Sequence, residues 1–339
     1  MRILTYGEIL LRISAMGNDR LFQSETMSTS FVGSEANVAI SLSNLGEDVS
    51  YLSIVPENVL GRAAKRQLNQ YGVHTEHMKN VPGRLGTFYT EKGANFLSGL
   101  VVYDREYSCM ALADKGSIEW EKSLEGVDWL HVSGITLAIS QAAANLMLEG
   151  MQVAKKRGIT ISLDLNYRAK MWGYGKEVKE IMEEAMQLSD VVMGSVAEYR
   201  MCLGINIEDS MDLFSEERSK LLGKIVKERY KNIESIVIFL QKNQGVEDNT
   251  LATAVYEEGN VYISKPYCVK HIVDRMGIGD SMAAGFIYAK RNYTENQKRA
   301  DFTSACGVLK CCIRGDYNLV SVEEVDSVLD KENGGDVRR

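Results

Sequence analysis

Short β-rich runs alternate with longer helix-period segments along most of this chain, and that alternation does most to narrow its fold. Residues 3–6 read as a strand, and residues 35–45 have helical spacing that stops at Gly46, a residue suited to follow a helix C-terminus. Residues 49–54 are again strand-like, and residues 60–71 are helical up to Gly72. Further strands are expected over 129–132, 160–164, 191–193 and 235–240. Helices are expected over 140–157, 176–188, 219–230, 281–291, 295–313 and 321–329. This order argues an α/β fold with a mainly parallel central sheet, the helices serving as crossovers. A chain of 339 residues can bury one large core, and residues 1–339 read as one domain.

Two regions break the alternation. Residues 12–31 and 84–111 read as strand-like pieces with no helix between them. Phe, Tyr, Thr and Val around polar turns suit a small antiparallel sheet standing off the main domain, or a β-meander packed on the core.

Charge and cysteine usage exclude several function classes. The 39 Lys and Arg against 46 Asp and Glu give a net charge of −7. No basic stripe points to nucleic acid, and no Lys/Arg cluster points to an anionic membrane. No apolar run approaches the roughly 18 residues needed to span a bilayer, and the N-terminus reads as a first strand, not a signal peptide. Cys109, Cys202, Cys268, Cys306, Cys311 and Cys312 show neither C-x-x-C pairs nor zinc spacing. They are expected to be reduced structural thiols of a cytoplasmic protein, with Cys311 and Cys312 in a buried helix. His74, His77, His131 and His271 do not cluster, and the charged tail from Lys331 reads as a solvated end.

The segment Asp274-Arg275-Met276-Gly277-Ile278-Gly279-Asp280-Ser281-Met282-Ala283-Ala284-Gly285 carries the chemistry. Two glycines bracket one residue, a carboxylate follows, and a small-residue helix begins. Backbone N–H groups of Gly277, Ile278 and Gly279 at a helix N-terminus can hold a phosphoryl group, and glycine lets that group approach the backbone. Asp280 then stands beside the anion, placed to take a proton from an attacking hydroxyl. Taken alone, the segment also fits a tight turn with Asp280 as helix cap.

In order along the chain, Gly33-Ser34-Glu35-Ala36-Asn37-Val38-Ala39, then Asp164-Leu165-Asn166-Tyr167-Arg168, then Gly277-Ile278-Gly279-Asp280 resemble the ribokinase-like (PfkB) family of sugar kinases. The similarity runs from Gly7-Glu8 to about Arg338. Within the family it is strongest to the 2-keto-3-deoxygluconate kinases, on Tyr89, Tyr103-Asp104-Arg105, Arg168 and the segment from Gly315 to Ser321. The resemblance implies a three-layer α/β/α domain whose small sheet covers the sugar and often mediates homo-oligomer formation. It implies transfer of the ATP γ-phosphoryl group to the 6-hydroxyl of 2-keto-3-deoxygluconate, with Mg²⁺ on the phosphates. Asp280 would be the base, and Gly277, Ile278 and Gly279 the anion hole. Gly33, Ser34, Asn37 and Asn166 would meet the sugar. Arg105 and Arg168 would pair with its carboxylate and Tyr89 and Tyr103 would bond its oxygens, since arginine grips a carboxylate with two parallel hydrogen bonds. Each arginine also fits a surface ion pair, Arg105 having Asp104 and Glu106 beside it. The counterpart of Asp274 in relatives is associated with a monovalent cation such as K⁺, and a turn role suits Asp274 as well.

The nucleotide side departs from the family pattern. Ser195-Val196-Ala197-Glu198 keeps the glutamate of an Asn-x-x-Glu signature but has serine for asparagine. Phe239-Leu240-Gln241 replaces a Thr-Leu-Arg-like strand end, and Asn318 is a candidate for the adenine pocket. Two rivals to a sugar-acid kinase stand: another sugar kinase of the same fold, for fructose, ribose or a nucleoside, against which the arginines speak, and a non-catalytic sugar- or nucleotide-binding relative, which the departures at Ser195 and Phe239–Gln241 support. A dinucleotide-dependent dehydrogenase is disfavoured, because no Gly-x-Gly-x-x-Gly follows the first strand.

Overall fold

The computed structural model describes residues 2–330; the tail read as solvated lies outside the described residues. The strands are β1 (Arg2–Tyr6), β2 (Leu10–Ala15), β3 (Met27–Val32), β4 (Val49–Leu52), β5 (Ile54–Pro56), β6 (Lys79–Val81), β7 (Thr87–Glu91) and β8 (Leu100–Asp104). They continue with β9 (Val127–Ser133), β10 (Thr160–Asp164), β11 (Val191–Ser195), β12 (Ser235–Asn243), β13 (Asn249–Glu257), β14 (Asn260–Ile263) and β15 (Tyr267–Val269). The helices are α1 (Ser34–Asn44), α2 (Val59–Gln70), α3 (Trp120–Ser123), α4 (Gly134–Leu137), α5 (Gln141–Lys156) and α6 (Val178–Leu188). After them come α7 (Val196–Leu203), α8 (Glu216–Arg229), α9 (Ile278–Asn292), α10 (Asn296–Lys310) and α11 (Val322–Leu329).

The main sheet runs β14-β13-β12-β11-β10-β9-β1-β4, and β15 also pairs with β13. From β12 to β4 every pairing is parallel. Alternation along each strand splits the core in two. Leu4 and Tyr6 of β1, Ile161 and Leu163 of β10, and Ile236 and Ile238 of β12 face a cluster with Met147, Met182 and Leu222 of α5, α6 and α8. Ile3, Met193 and Val237 face the other way, onto Val38, Leu68, Met282 and Phe286 of α1, α2 and α9. The result is the three-layer α/β/α domain expected. A strand buried on both faces reads as an apolar run, which is why β10, β11 and β12 were legible.

Several features differ from expectation. The strand expected over 49–54 divides into β4 and β5. β13, β14 and β15 add an antiparallel flank that the strand–helix alternation did not signal. Helix α10 stops at Lys310, so Cys311 is buried just past it while Cys312 is exposed; Cys268 is exposed as well, and all six cysteines are free.

The small sheet exists and is separate, with order β3-β2-β7-β8. It is not wholly antiparallel. β2–β3 and β7–β8 are antiparallel pairs, but β2 and β7 run parallel, Leu11 facing Thr87. The two hairpins arise at distant points of the chain, so no tight turn dictates how they pair.

Candidate active site

The chain runs from β1 through α1 to β4 on one side, then returns to β9 on the other side of β1. α1 packs on one face of the sheet and α5, which follows β9, on the other. Where strand order reverses in this way, a crevice opens beyond the carboxyl ends of the strands. A cavity of about 320 Å³ lies there. Leu10, Val32, Phe88 and Tyr103 of the small sheet line it from above, and the starts of α1, α7 and α9 line it from below.

The turn before α9 is shaped by a glycine. Gly277 has φ 79°, and a Cβ there would lie 1.9 Å from the Asp316 carbonyl oxygen. No side chain caps α9, and a Cβ at Gly279 would meet no atom within 4 Å. The first N–H groups of the helix thus face open cavity, an arrangement that attracts an anion.

Asp280 stands in the first turn of α9. Ser34 Oγ donates to its Oδ1 at 2.7 Å and Asn37 Nδ2 to its Oδ2 at 2.7 Å. Asn166 Nδ2 donates in turn to Ser34 Oγ at 2.8 Å. Burial raises the Asp280 carboxyl to about 6, against the pull of the two hydrogen bonds and of Arg168. Burial outweighs the donors because a charged oxygen loses more from lost water than two neutral donors return. Asn166 itself sits at φ 37°, a conformation asparagine tolerates better than most residues. Gly33, at the start of α1, packs on the backbone of Glu8, whose carbonyl oxygen would be 2.2 Å from a Cβ.

The carboxyl ends of β10, β11 and β12 bring Asp164, Ser195, Glu198, Phe239 and Gln241 to the same cavity. Ser195 caps α7 and forms a reciprocal box with Glu198: the Ser195 N–H donates to Glu198 Oε2 at 2.7 Å, and Glu198 N–H to Ser195 Oγ at 3.3 Å. Burial, then Glu198 and Asp280, push the Asp164 carboxyl well above the usual carboxylate range.

Arg105 and Arg168 reach the cavity together with Tyr103, but the two arginines differ. Arg105 is buried, and its Nε donates to Glu8 Oε2 at 2.8 Å while Nη2 bonds the same oxygen. Ser108 Oγ donates to the other Glu8 oxygen. Neither Asp104 nor Glu106 is its partner; Asp104 pairs with Arg84 instead, at 2.9 Å. Arg168 is exposed and, among the described residues, donates only to the Tyr167 carbonyl, at 3.2 Å. Tyr89 is not in the cavity. Tyr103 pairs with Phe88, and Tyr89 with Val102, so Tyr89 lies on the opposite face of the sheet, its ring 6.2 Å from that of Phe22. A single step along a strand reverses the face.

An amide-lined helix N-terminus, an oriented carboxylate beside it and a lid over both suit transfer of a phosphoryl group to a hydroxyl. The family model described as pfkB family carbohydrate kinase matches residues 2–322. The chain belongs to that family. The carbohydrate kinase is similar in structure to the 2-dehydro-3-deoxygluconokinase of Thermotoga maritima, with a TM-score of 0.92 and 34% identity over 98% of this chain and 100% of that one. It is 27% identical to the 2-dehydro-3-deoxygalactonokinase of Haloferax volcanii, over 98% of this chain and 97% of the relative. It is 29% identical to a 5-dehydro-2-deoxygluconokinase of Clostridium tetani, over 80% of this chain and 75% of the relative.

Two expected site residues of the kinase serve the scaffold. Asn318 is buried, and its Nδ2 donates to Ser281 Oγ at 2.6 Å and to the Cys306 carbonyl at 3.2 Å, tying α9 to α10 away from the cavity. It lies outside the residues that line the cavity. Both oxygens of Asp274 accept backbone N–H groups, Oδ1 from Met276 and Oδ2 from Gly315, each at 3.0 Å, and Arg12 lies 3.8 Å from Oδ2. These contacts close a turn, the second of the two roles expected of Asp274. The sequence reading missed Glu8, Arg12, Arg275 and Asp316. Of these, Arg275 and Asp316 line the cavity, and Asp316 backs Gly277. No helix among the described residues is long and apolar enough to cross a membrane.

Proposed function

We propose that this carbohydrate kinase transfers the γ-phosphoryl group of ATP to the 6-hydroxyl of 2-keto-3-deoxygluconate. The observation that carries the reading is Arg168, an exposed guanidinium on the cavity wall with no carboxylate partner among the described residues, in the same cavity as the buried Arg105. A neutral sugar needs no such cation, whereas a sugar acid brings the missing carboxylate. The names of the three relatives all denote kinases of dehydro-deoxy sugar acids, which supports the same class.

Asp280 acts as the base. Ser34 and Asn37 fix its plane, and the raised pKa brings it near the range where a carboxylate both stays largely ionised at neutral pH and accepts a proton well. The amides at the start of α9 meet the transferring group, and Tyr103 and Asn166 hold the sugar beneath the lid. Gln241 and the Ser195–Glu198 pair face the nucleotide. Serine at 195 is accommodated there: it fixes Glu198 by the capping box and leaves Glu198 Oε1 for other partners.

Asp164 and Glu198 suit a divalent cation carried by the nucleotide. Burial, then Glu198 and Asp280, push the Asp164 carboxyl upward, and added positive charge would oppose that shift. Mg²⁺ bound there would neutralise phosphate charge. The small sheet leaves Phe96, Leu100 and Val102 exposed, which supports a homo-oligomer formed through the lid.

A neutral ketose such as fructose is the second reading, favoured by one observation: Glu8 already compensates Arg105. ADP release with a panel of keto sugar acids and neutral sugars decides between them. A turnover preference for 2-keto-3-deoxygluconate supports the first reading, and a preference for fructose or ribose overturns it.

A further inference from the structure

Two strands of the lid reach across to consecutive residues of one short loop. On β2, Arg12 is largely buried; its Nη1 bonds Asp316 Oδ2, its Nη2 lies 3.8 Å from Asp274 Oδ2, and its Nε donates to Ser14 Oγ at 2.7 Å. On β3, the Phe31 carbonyl accepts the hydroxyl of Tyr317. From beneath, the fully buried Lys310 donates from Nζ to the Ile313 carbonyl at 2.9 Å, and the Gly315 N–H donates to Asp274 Oδ2 at 3.0 Å. The loop from 313 to 317 is thus held from both sides. Its Asp316 carbonyl lies so close to Gly277 that no side chain fits between them.

The phosphoryl-transfer scheme does not use this cluster. Burying Arg12, Lys310 and Asp316 beside the partly buried Asp274 costs desolvation that apolar packing would avoid, so simple attachment of a lid gives no reason for it. A directional, charge-assisted contact does fix position closely. The loop it fixes is the one against which the anion-binding turn rests.

We propose that Arg12 is a positioning residue for phosphoryl transfer, acting through Asp316 to register the Gly277 turn with the seated lid. Arg12 does not line the cavity and touches no reacting atom. A sugar that seats the lid sets Arg12, Arg12 sets Asp316, and the Asp316 backbone sets the turn whose amides receive the phosphoryl group. A displacement of well under an ångström there is enough to weaken those hydrogen bonds in the transition state.

The inference rests on the phosphoryl transfer of the family, not on the identity of the sugar. Arg12→Gln, Arg12→Lys, Asp316→Asn and the Arg12→Gln/Asp316→Asn double variant are assayed by ADP release with the acceptor that the wild type turns over best, and each is melted by calorimetry. Arg12→Gln is expected to lower kcat about tenfold or more while KM for the acceptor stays within about threefold, the split expected for an interaction used in the transition state. Arg12→Lys, which keeps the charge, recovers part of the loss. The double variant is no slower than the slower single one, because both break the same link. A raised acceptor KM at unchanged kcat would mean that Arg12 only holds the lid on the sugar. A lowered Tm with unchanged kcat per folded molecule, or additive effects in the double variant, would also overturn the proposal. If the best acceptor proves to be a neutral sugar, the sugar-acid reading fails and this test runs unchanged on that sugar.

Discussion

Ser34 Oγ and Asp280 Oδ1 lie 2.7 Å apart although 246 positions of sequence separate them. That contact joins the first helix of the chain to the anion-binding helix across the crevice. Asn37 completes it on the other carboxylate oxygen, and Asn166 holds Ser34 from the side. Residues expected to touch sugar therefore also orient the base.

Replacing Asp280 by Asn keeps the shape and removes the proton acceptor. Turnover should fall by roughly the 10²–10⁴-fold typical of losing a general base. Titration calorimetry should show ATP and the sugar acid still bound. A variant with near wild-type turnover would remove Asp280 from that role.

The raised pKa of Asp280 predicts an acid limb. Only the ionised carboxylate accepts a proton, so kcat/KM should decline as pH falls through about 6. The Ser34 hydroxyl stabilises the ionised form and lowers this pKa, so Ser34→Ala should move the limb to higher pH. A limb that stays in place in Ser34→Ala would mean that another group titrates.

Arg168 and Arg105 should separate in their effects. Arg168→Ala should raise KM for the sugar acid by about the 1.5–3 kcal/mol of a hydrogen bond to a charged group, with Tm unchanged, because the side chain is exposed and pairs with no carboxylate among the described residues. Arg105→Ala strands Glu8 in the interior and should lower stability by about 3–5 kcal/mol, the usual result of breaking a buried pair. Equal Tm losses in both variants would contradict this division.

The parallel half of the sheet was legible because its strands are apolar runs separated by amphipathic helices, as in residues 160–164 and 235–240. The flank after Gln241 was not, since β13 follows β12 with no helix between them to mark the change. The site motifs were legible where backbone and chemistry coincide, as at Gly277 and Asp280. Contacts set by tertiary packing were not. Nothing local in Gly7-Glu8 announces a partner for Arg105, and only the register of β7 against β8 tells Tyr89 from Phe88 as the cavity-facing ring. Asn318 follows a glycine turn like a binding residue, yet its amide nitrogen is spent on Ser281 and Cys306.

The two glycines of the anion-binding turn should fail differently. At Gly277, φ is 79° and a Cβ would lie 1.9 Å from a backbone carbonyl, so Gly277→Ala meets both strain and a clash that no rotamer relieves. The left-handed conformation alone costs about 1–2 kcal/mol for a residue with a Cβ. Both Tm and kcat should fall. Gly279 has nothing within 4 Å of an added Cβ, and its backbone is not in the left-handed region. Gly279→Ala should therefore fold normally, with alanine the better helix former by about 1 kcal/mol. Its methyl group enters the space over the α9 amides, so kcat should drop while KM for the sugar acid holds. Stopped-flow turnover and calorimetric melting of the two variants make the comparison. If Gly279→Ala turns over like the wild type, the phosphoryl group does not pass over this turn, and the anion-hole assignment falls with it.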